Sequence, residues 1–295
     1  MEHRLSALIC AFILAIPVIL CAEPWDVTID ASLMLSQNAY SDNWTGGETG
    51  SVIWTINSNL AAKKILSPKL SSKTTLKLAF GQTHNQDGNT DNWSTPVKST
   101  DLIDFETLLR FTLGAVVDPF AAGRIETQFL DAGDPTKSRM FNPLKFTESA
   151  GISRVFIEEE KRELTVRLGM GIRQYLDRDV LVDSVAGRRE NQTSSDGGLE
   201  MVTDFTTPPA QERISYTAKL TLFKALFYSE SDGLEGQPNE NYWKTIDLNW
   251  ENIFSAGITD YLMVNLYVQL LYDKEIDLAG RFKQTLSLGL TYKFK

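Results

Sequence analysis

The closing stretch of the chain, RFKQTLSLGLTYKFK at residues 281–295, alternates apolar and polar side chains along most of its length. The apolar face of this alternation consists of Phe282, Leu286, Leu288, Leu290, Tyr292 and Phe294. Successive side chains of a β-strand point to opposite faces, whereas a helix repeats its apolar positions every three or four residues. The stretch is therefore predicted to be a strand with one apolar wall and one polar wall.

The same alternation recurs upstream. Residues 262–272 repeat it, and at about 3.3 Å per residue they are long enough to cross a membrane as a tilted strand. Clear alternation also marks residues 27–36, 75–80, 103–111, 164–173, 214–222 and 246–251, and weaker alternation marks 54–60, 124–130, 145–157 and 199–205. With the last two segments, these make twelve predicted strands.

The connections between these strands are sorted by length. Long connections are expected at 38–50, 83–100, 131–144, 178–197 and 229–241, and short ones at 63–70, 114–119, 158–161, 207–211 and 255–258. The last outer loop, 274–279, is the one exception, because it is short. Outer-membrane barrels have long loops outside and short turns in the periplasm, whereas a soluble β-sandwich has no reason to sort its loops. We predict an all-β fold, namely a transmembrane antiparallel up-and-down β-barrel of about 12 strands with both termini in the periplasm.

The first 22 residues differ from the rest of the chain. A short apolar run follows Arg4 and ends in small residues, which is typical of a signal peptide and too short for a spanning helix. We therefore predict a signal peptide at 1–22 and one barrel domain at 23–295. Both cysteines, Cys10 and Cys21, lie in the predicted signal peptide, so we expect no disulfide, no metal site and no cofactor.

The overall charge argues against one class of partner. With 29 Lys and Arg against 38 Asp and Glu, the formal net charge is -9. A nucleic-acid-binding surface needs a basic excess, so we expect no nucleic acid as partner.

The polar faces of the predicted strands carry charges of both signs. The candidate lumen-lining residues are Lys77, Asp104, Glu106, Arg110, Arg167, Arg173, Lys219, Asp247, Glu251, Arg281 and Lys283. A barrel of twelve strands is wider than the eight-stranded kind that side chains just fill. These charges would therefore either pair across the lumen and stiffen the wall or line a polar conduit for small solutes.

The stretch SQNAYSDNWTGGE at residues 36–48 is distinctive. It resembles the opening of a family of Gram-negative outer-membrane barrels catalogued only as a domain of unknown function. Members of that family close with a strand ending in Tyr-x-Phe, as Tyr292 and Phe294 do here. The resemblance implies a place in the cell outer membrane and a barrel architecture, and it implies no activity.

The sequence therefore predicts an outer-membrane barrel that is not an enzyme and acts as a passive channel or as a transport or scaffold component. Expected partners are outer-membrane lipid and the barrel-insertion machinery, which would read Tyr292 and Phe294; the solute is unknown. One alternative is a soluble periplasmic barrel that binds an apolar ligand, with Leu286, Leu288 and Leu290 pointing inward. Another is a barrel hydrolase that uses His84 beside a carboxylate or a serine.

Overall fold

The computed structural model describes residues 25–40, 49–88, 90, 92–159, 162–210 and 213–294. The predicted signal peptide at 1–22 lies outside the described residues, and so does most of the stretch 36–48. The side chain of Phe294 is likewise outside the described part.

The described residues form fourteen strands. They are β1 (Asp26–Asn38), β2 (Ser51–Ser67), β3 (Leu70–Asn85), β4 (Val97–Phe111), β5 (Asp118–Thr127), β6 (Leu130–Asp131), β7 (Arg139–Met140), β8 (Leu144–Glu159), β9 (Arg162–Asp183), β10 (Arg188–Ala210), β11 (Ile214–Tyr228), β12 (Ile246–Gly257), β13 (Leu262–Tyr272) and β14 (Arg281–Phe294). Two short 3-10 turns, Ser231–Leu234 and Tyr242–Lys244, lie between β11 and β12. The described part of the chain contains no helix long and apolar enough to cross a membrane.

Twelve of these strands close into a single antiparallel barrel, and β6 pairs with β7 in a separate hairpin. Around the barrel the order is β1, β14, β13, β12, β11, β10, β9, β8, β5, β4, β3 and β2. Strands β1 and β14 complete the closure through a register that sets Leu33 opposite Leu290. Closure leaves no free sheet edge for lipid to meet, because every backbone group can pair within the wall. The predicted twelve-stranded barrel is confirmed.

The outer wall of the barrel is apolar and uncovered. On β14, Leu286, Leu288 and Leu290 are 65 %, 47 % and 59 % exposed. On β9, Leu168 and Met170 are exposed on the corresponding face. An apolar band outside and polar side chains inside define a transmembrane barrel. The alternative of a soluble barrel with these leucines inside is therefore wrong.

One predicted loop is wrong. We expected a long connection at 178–197 because its sequence is rich in Gly, Asn, Asp and Ser. The structure instead continues β9 to Asp183 and begins β10 at Arg188, so only residues 184–187 form a turn. The β10 arm of this hairpin, residues 188–196, carries polar side chains on both faces, so it has no period-two pattern to signal a strand.

Candidate functional site

The cross-strand register places the polar side chains of neighbouring strands on the same face of the sheet. Lys77 lies opposite Asp104, and Lys219 lies opposite both Asp204 and Glu251. The Lys77 ammonium also reaches the Glu251 carboxylate at 3.5 Å, although β3 and β12 are five strands apart around the barrel. Such a contact is possible only across the lumen, so these faces point inward.

The inward side chains of β4, β5, β8, β9, β10 and β11, which we call the packed half, meet around Glu106. Its carboxylate accepts hydrogen bonds from the Lys219 ammonium and lies 2.7 Å from both Lys219 and Arg167. Arg167 also lies 3.4 Å from Asp204 and is buried. Because Glu106, Arg167 and Lys219 come from three non-adjacent strands, this cluster ties opposite walls together.

A second cluster of the packed half lies along β4, β5 and β8. Arg124 donates two hydrogen bonds to the buried carboxylate of Asp104, at 2.8 and 2.9 Å. Arg124 also lies 3.1 Å from Glu126, which in turn lies 3.3 Å from the Lys145 ammonium. The four groups alternate in sign, so each buried charge has a partner of opposite sign.

The third cluster surrounds Arg173 on β9. Its guanidinium donates to Asp196 at 2.5 Å and to Asp247 at 2.8 Å. Its planar face lies 3.7 Å from the ring centre of Phe223, which is a cation–π contact. Gly171, two residues before Arg173, leaves the space that the Phe223 ring fills.

A small cavity lies among the charges of the packed half. Its volume is about 10 Å³, and it is bounded among others by Glu106, Arg124, Ser149, Val202 and Lys219. That volume holds about one water molecule. The space beside the Glu106 cluster is therefore too small for a solute.

The inward side chains of β12, β13, β14, β1, β2 and β3, which we call the open half, are different in kind. Most of them are small or uncharged, and they include Ser32, Thr55, Asn57, Asn59, Asn265, Gln269, Thr285 and Ser287. Asn59 lies opposite Lys77, and Thr285 lies opposite Tyr267, so both point inward; both are nevertheless exposed. Exposed side chains on an inner face mean that water reaches the lumen on this side.

Two cations of the open half lie near the outer end of β14. Arg281 and Lys283 have no salt bridge to any residue that the structure describes. The Lys283 ammonium donates to the Thr100 hydroxyl at 3.4 Å, and the Arg281 Nε atom is buried without a hydrogen-bond acceptor among those residues. Lower in the lumen, Lys63 and Lys73 both approach Glu163.

Ten of the eleven predicted lumen residues therefore have a place in this description. Lys77, Asp104, Glu106, Arg167, Arg173, Lys219, Asp247 and Glu251 form ion pairs, whereas Arg281 and Lys283 belong to the open half. Arg110 lies opposite Ser71 and Phe120, near the end of β4 that leads into the turn 112–117, and forms no ion pair with the described residues.

The sequence reasoning missed several members of the clusters. Arg124, Glu126 and Lys145 lie on strands whose alternation was weak, and Asp196 lies in the segment expected to be a loop. The sequence signal that could have found them is a spacing of two residues, as between Arg124 and Glu126, because residues two apart on a strand lie on the same face.

Above the packed half, the segment 128–143 is braced against the β9–β10 hairpin. Asn142, which is 1 % exposed, donates to Asp131 at 3.1 Å and to Asp177 at 2.6 Å. The Arg189 guanidinium donates two hydrogen bonds to the Asp134 carboxylate, at 2.8 and 3.1 Å. These bonds from Arg189 and those from Thr136 hold the pKa of Asp134 well below its usual value.

The remaining candidate, His84, points away from the lumen. It lies opposite Val52 on the outer face and shares a cleft with Val52, Trp54 and Trp93. No carboxylate or serine is among the described residues that line this cleft. Among the described residues there is also no cluster of three or more His, Cys, Asp or Glu side chains that could hold a metal ion.

Comparisons with solved structures return outer-membrane barrels. An outer membrane channel from Pseudomonas putida F1 is 15 % identical, covering 94 % of this chain and 98 % of its own, with a TM-score of 0.41. The translocator domain of the autotransporter NalP from Neisseria meningitidis is 9 % identical, covering 99 % and 94 %, with a TM-score of 0.38. OprB from Pseudomonas putida is 12 % identical, covering 92 % and 94 %, with a TM-score of 0.31.

No curated protein matches the chain. The resemblance noted at residues 36–48 is confirmed by a family model: residues 35–132, from the end of β1 into the β6–β7 hairpin, match the protein of unknown function DUF3078.

Proposed function

We propose that this protein is a non-enzymatic barrel of the Gram-negative outer membrane that lets small polar solutes pass through its open half. The packed half acts as a rigid scaffold for that passage. The observation that carries the proposal is the exposure of Asn59 and Thr285, which point inward and still contact water. Small uncharged side chains around them leave space in the open half, whereas paired charged side chains occupy the equivalent space in the packed half.

The membrane placement rests on the apolar outer wall. Exposed leucines cover β14, and exposed apolar side chains continue onto β9, so lipid is the partner that this wall fits. Insertion by the barrel-insertion machinery, reading Tyr292 and Phe294 at the end of β14, belongs to the same proposal.

The test is the electrical conductance of the purified protein in planar lipid bilayers. We expect small, steady currents from the wild-type barrel. Replacing Thr285 by Trp places an indole in the open half and should reduce the single-channel conductance at least about threefold. The matched control is Leu286→Trp, because Leu286 is the next residue and points to lipid, where an indole fits.

A closed structural scaffold is the second candidate, and it is favoured by the bridge between Lys77 and Glu251 across the lumen. A wild-type barrel that inserts but carries no current would establish this second function. Equal currents from wild type, Thr285→Trp and Leu286→Trp would also refute passage through the open half.

A further inference from the structure

A cleft lies on the outer face of the barrel wall, away from the lumen. Val52 and Trp54 of β2 and His84 of β3 line it, and Trp93 from the following loop forms its remaining side. Trp54 lies opposite Leu35, which is 52 % exposed on the outer face, so the cleft is continuous with the apolar wall.

Trp93 is held in place by the backbone around it. Gln86 pairs with Trp93 in an isolated bridge, and the Gln86 N–H donates to the Gly50 carbonyl at 2.8 Å. The Gly50 N–H in turn donates to the Gln86 side chain at 3.2 Å. A Cβ atom on Gly50 would lie 3.2 Å from the Trp93 ring, so glycine allows the indole to sit against the strand.

The size and lining of the cleft define what it can hold. Its volume is about 240 Å³. That exceeds a roughly 150 Å³ apolar cavity known to take benzene but falls below the roughly 300 Å³ lower bound for drug-sized sites, so a segment of a larger molecule fits best. Two indoles and a valine dominate the lining, and among the described lining residues the His84 ring and the indole N–H groups are the side-chain groups that can form hydrogen bonds.

The surroundings indicate which molecule supplies that segment. Trp54 contacts Phe80 with ring centres 5.9 Å apart, and Phe80 contacts Phe129 edge-on at 6.1 Å. Tryptophan and other aromatic side chains concentrate where a membrane protein meets the lipid headgroups. The occupant must therefore be apolar and must come from the lipid phase that surrounds this wall.

We propose that the cleft binds one acyl chain of a membrane lipid between Trp54 and Trp93, with His84 facing the headgroup end. This site is independent of solute passage, because it lies on the opposite side of the wall from the lumen. The whole lipid is retained through the chain segment that lies in this open cleft against the two indoles.

Native mass spectrometry of the detergent-solubilised barrel, loaded with palmitoyl-oleoyl phosphatidylethanolamine, tests the site. We expect one lipid to stay bound to the wild-type protein after delipidation. Trp93→Ala should reduce that fraction at least about fivefold, and Gly50→Ala, which pushes the indole outward, should reduce it less. The matched control is Trp243→Ala, because Trp243 is another aromatic of an outer connection, packed on Tyr228, and should leave the bound lipid unchanged.

Four outcomes would overturn the proposal. The wild type could retain no lipid, Trp93→Ala could retain as much as wild type, or Trp243→Ala could lose as much as Trp93→Ala. The fourth is displacement of the lipid by glucose but not by decane, which would assign the cleft to sugars instead. An unchanged unfolding temperature of Trp93→Ala shows that the variant is folded, and an unchanged bilayer current separates this result from the proposed solute passage.

Discussion

The two halves of the barrel share strand geometry and differ in what their inner faces carry. In the packed half, Glu106 lies between Arg167 and Lys219, beside a cavity of about 10 Å³. In the open half, the corresponding positions hold small uncharged side chains, of which Asn59 and Thr285 stay exposed to water.

The difference teaches how a wide barrel becomes narrow on one side. Removing a charge from water is costly, so charges survive in the packed half only because each faces a partner. The partners of Glu106 come from non-adjacent strands and tie opposite walls together, whereas pairs such as Asp104 with Arg124 join neighbouring strands. In the open half the Lys77–Glu251 pair crosses the lumen, but most other inward side chains are small and uncharged, and water reaches Asn59 and Thr285.

The largest expected effect follows from removing the centre of the packed half. Glu106→Ala would leave the ammonium of Lys219 and the guanidinium of Arg167 buried near each other without their shared carboxylate. We expect a loss of about 3–5 kcal/mol in the free energy of unfolding, as for other broken buried pairs. Denaturant unfolding in lipid vesicles, followed by tryptophan fluorescence, measures it.

The control for Glu106→Ala is Lys283→Ala in the open half. Lys283 is exposed and bonds only to the Thr100 hydroxyl among the described residues, so its removal should change stability by less than about 0.5 kcal/mol. Equal losses from the two variants would mean that the halves do not differ in how charges support them.

A smaller effect is expected from the closest contact within the open half. Gly289 lies opposite Met34, and a Cβ atom there would collide with the Leu33 carbonyl and the Met34 sulfur. We expect Gly289→Ala to cost about 1–3 kcal/mol, the usual range for overpacking. Ser287→Ala, two residues earlier on the same face, is the matched control and should be nearly neutral in the same unfolding assay. A neutral Gly289→Ala would show that the seam between β1 and β14 can open without cost.

Much of the fold could be predicted because the outer wall obeys a simple rule. Residues such as Leu286 and Leu290 must face lipid, so the side chains of most strands within the membrane alternate with a period of two. The rule fails in β10, where the side chains of residues 188–196 are polar on both faces. Asp196 was therefore assigned to a loop although it is buried and belongs to the Arg173 cluster.

The division into two halves could not be predicted. Periodicity states that Lys77 and Lys219 point inward, but it carries no information about which strand lies across the lumen. That depends on the tilt and stagger of the closed barrel, which bring β4 against β9 and β11. Pairing between distant strands is a property of closure and leaves no local signal.

The cations of the open half should set its preference between ions. Lys283→Glu reverses one charge near the outer end of the passage, and we expect the reversal potential in a potassium chloride gradient to shift toward cation preference. The permeability ratio should change by about threefold, since a single charge in a wetted lumen is screened by salt. Gln284→Glu adds a negative charge on the neighbouring, outward side chain and should leave the ratio unchanged. An equal shift of the reversal potential in Lys283→Glu and Gln284→Glu would mean that the ions do not pass through the lumen.

The smallest effect is expected above the membrane, where the packed half continues into the braced segment 128–143. Because hydrogen bonds from Arg189 and Thr136 lower the pKa of Asp134, the ionised form stabilises the folded loop. That contribution is present above the ordinary pKa of 3.8 and is lost as the pH falls through the lowered value. Amide exchange of residues 128–143 should therefore stay equally protected at pH 7 and pH 5, after correction for intrinsic rates.

Asp134→Asn should abolish the charge of this brace at any pH. We expect faster amide exchange in residues 128–143 at pH 7 and an unchanged unfolding midpoint of the barrel, because Asp131 and Asn142 still hold the base of the segment. The matched control is Asp183→Asn, in the turn of the β9–β10 hairpin, where the carboxylate accepts only backbone N–H groups of its own turn. Loss of amide-exchange protection between pH 7 and pH 5 in the wild-type protein would contradict this prediction. It would mean that the segment 128–143 is held by a group with a higher pKa than Asp134. A barrel that unfolds earlier in Asp134→Asn would mean that the outer segment and the packed half form one cooperative unit.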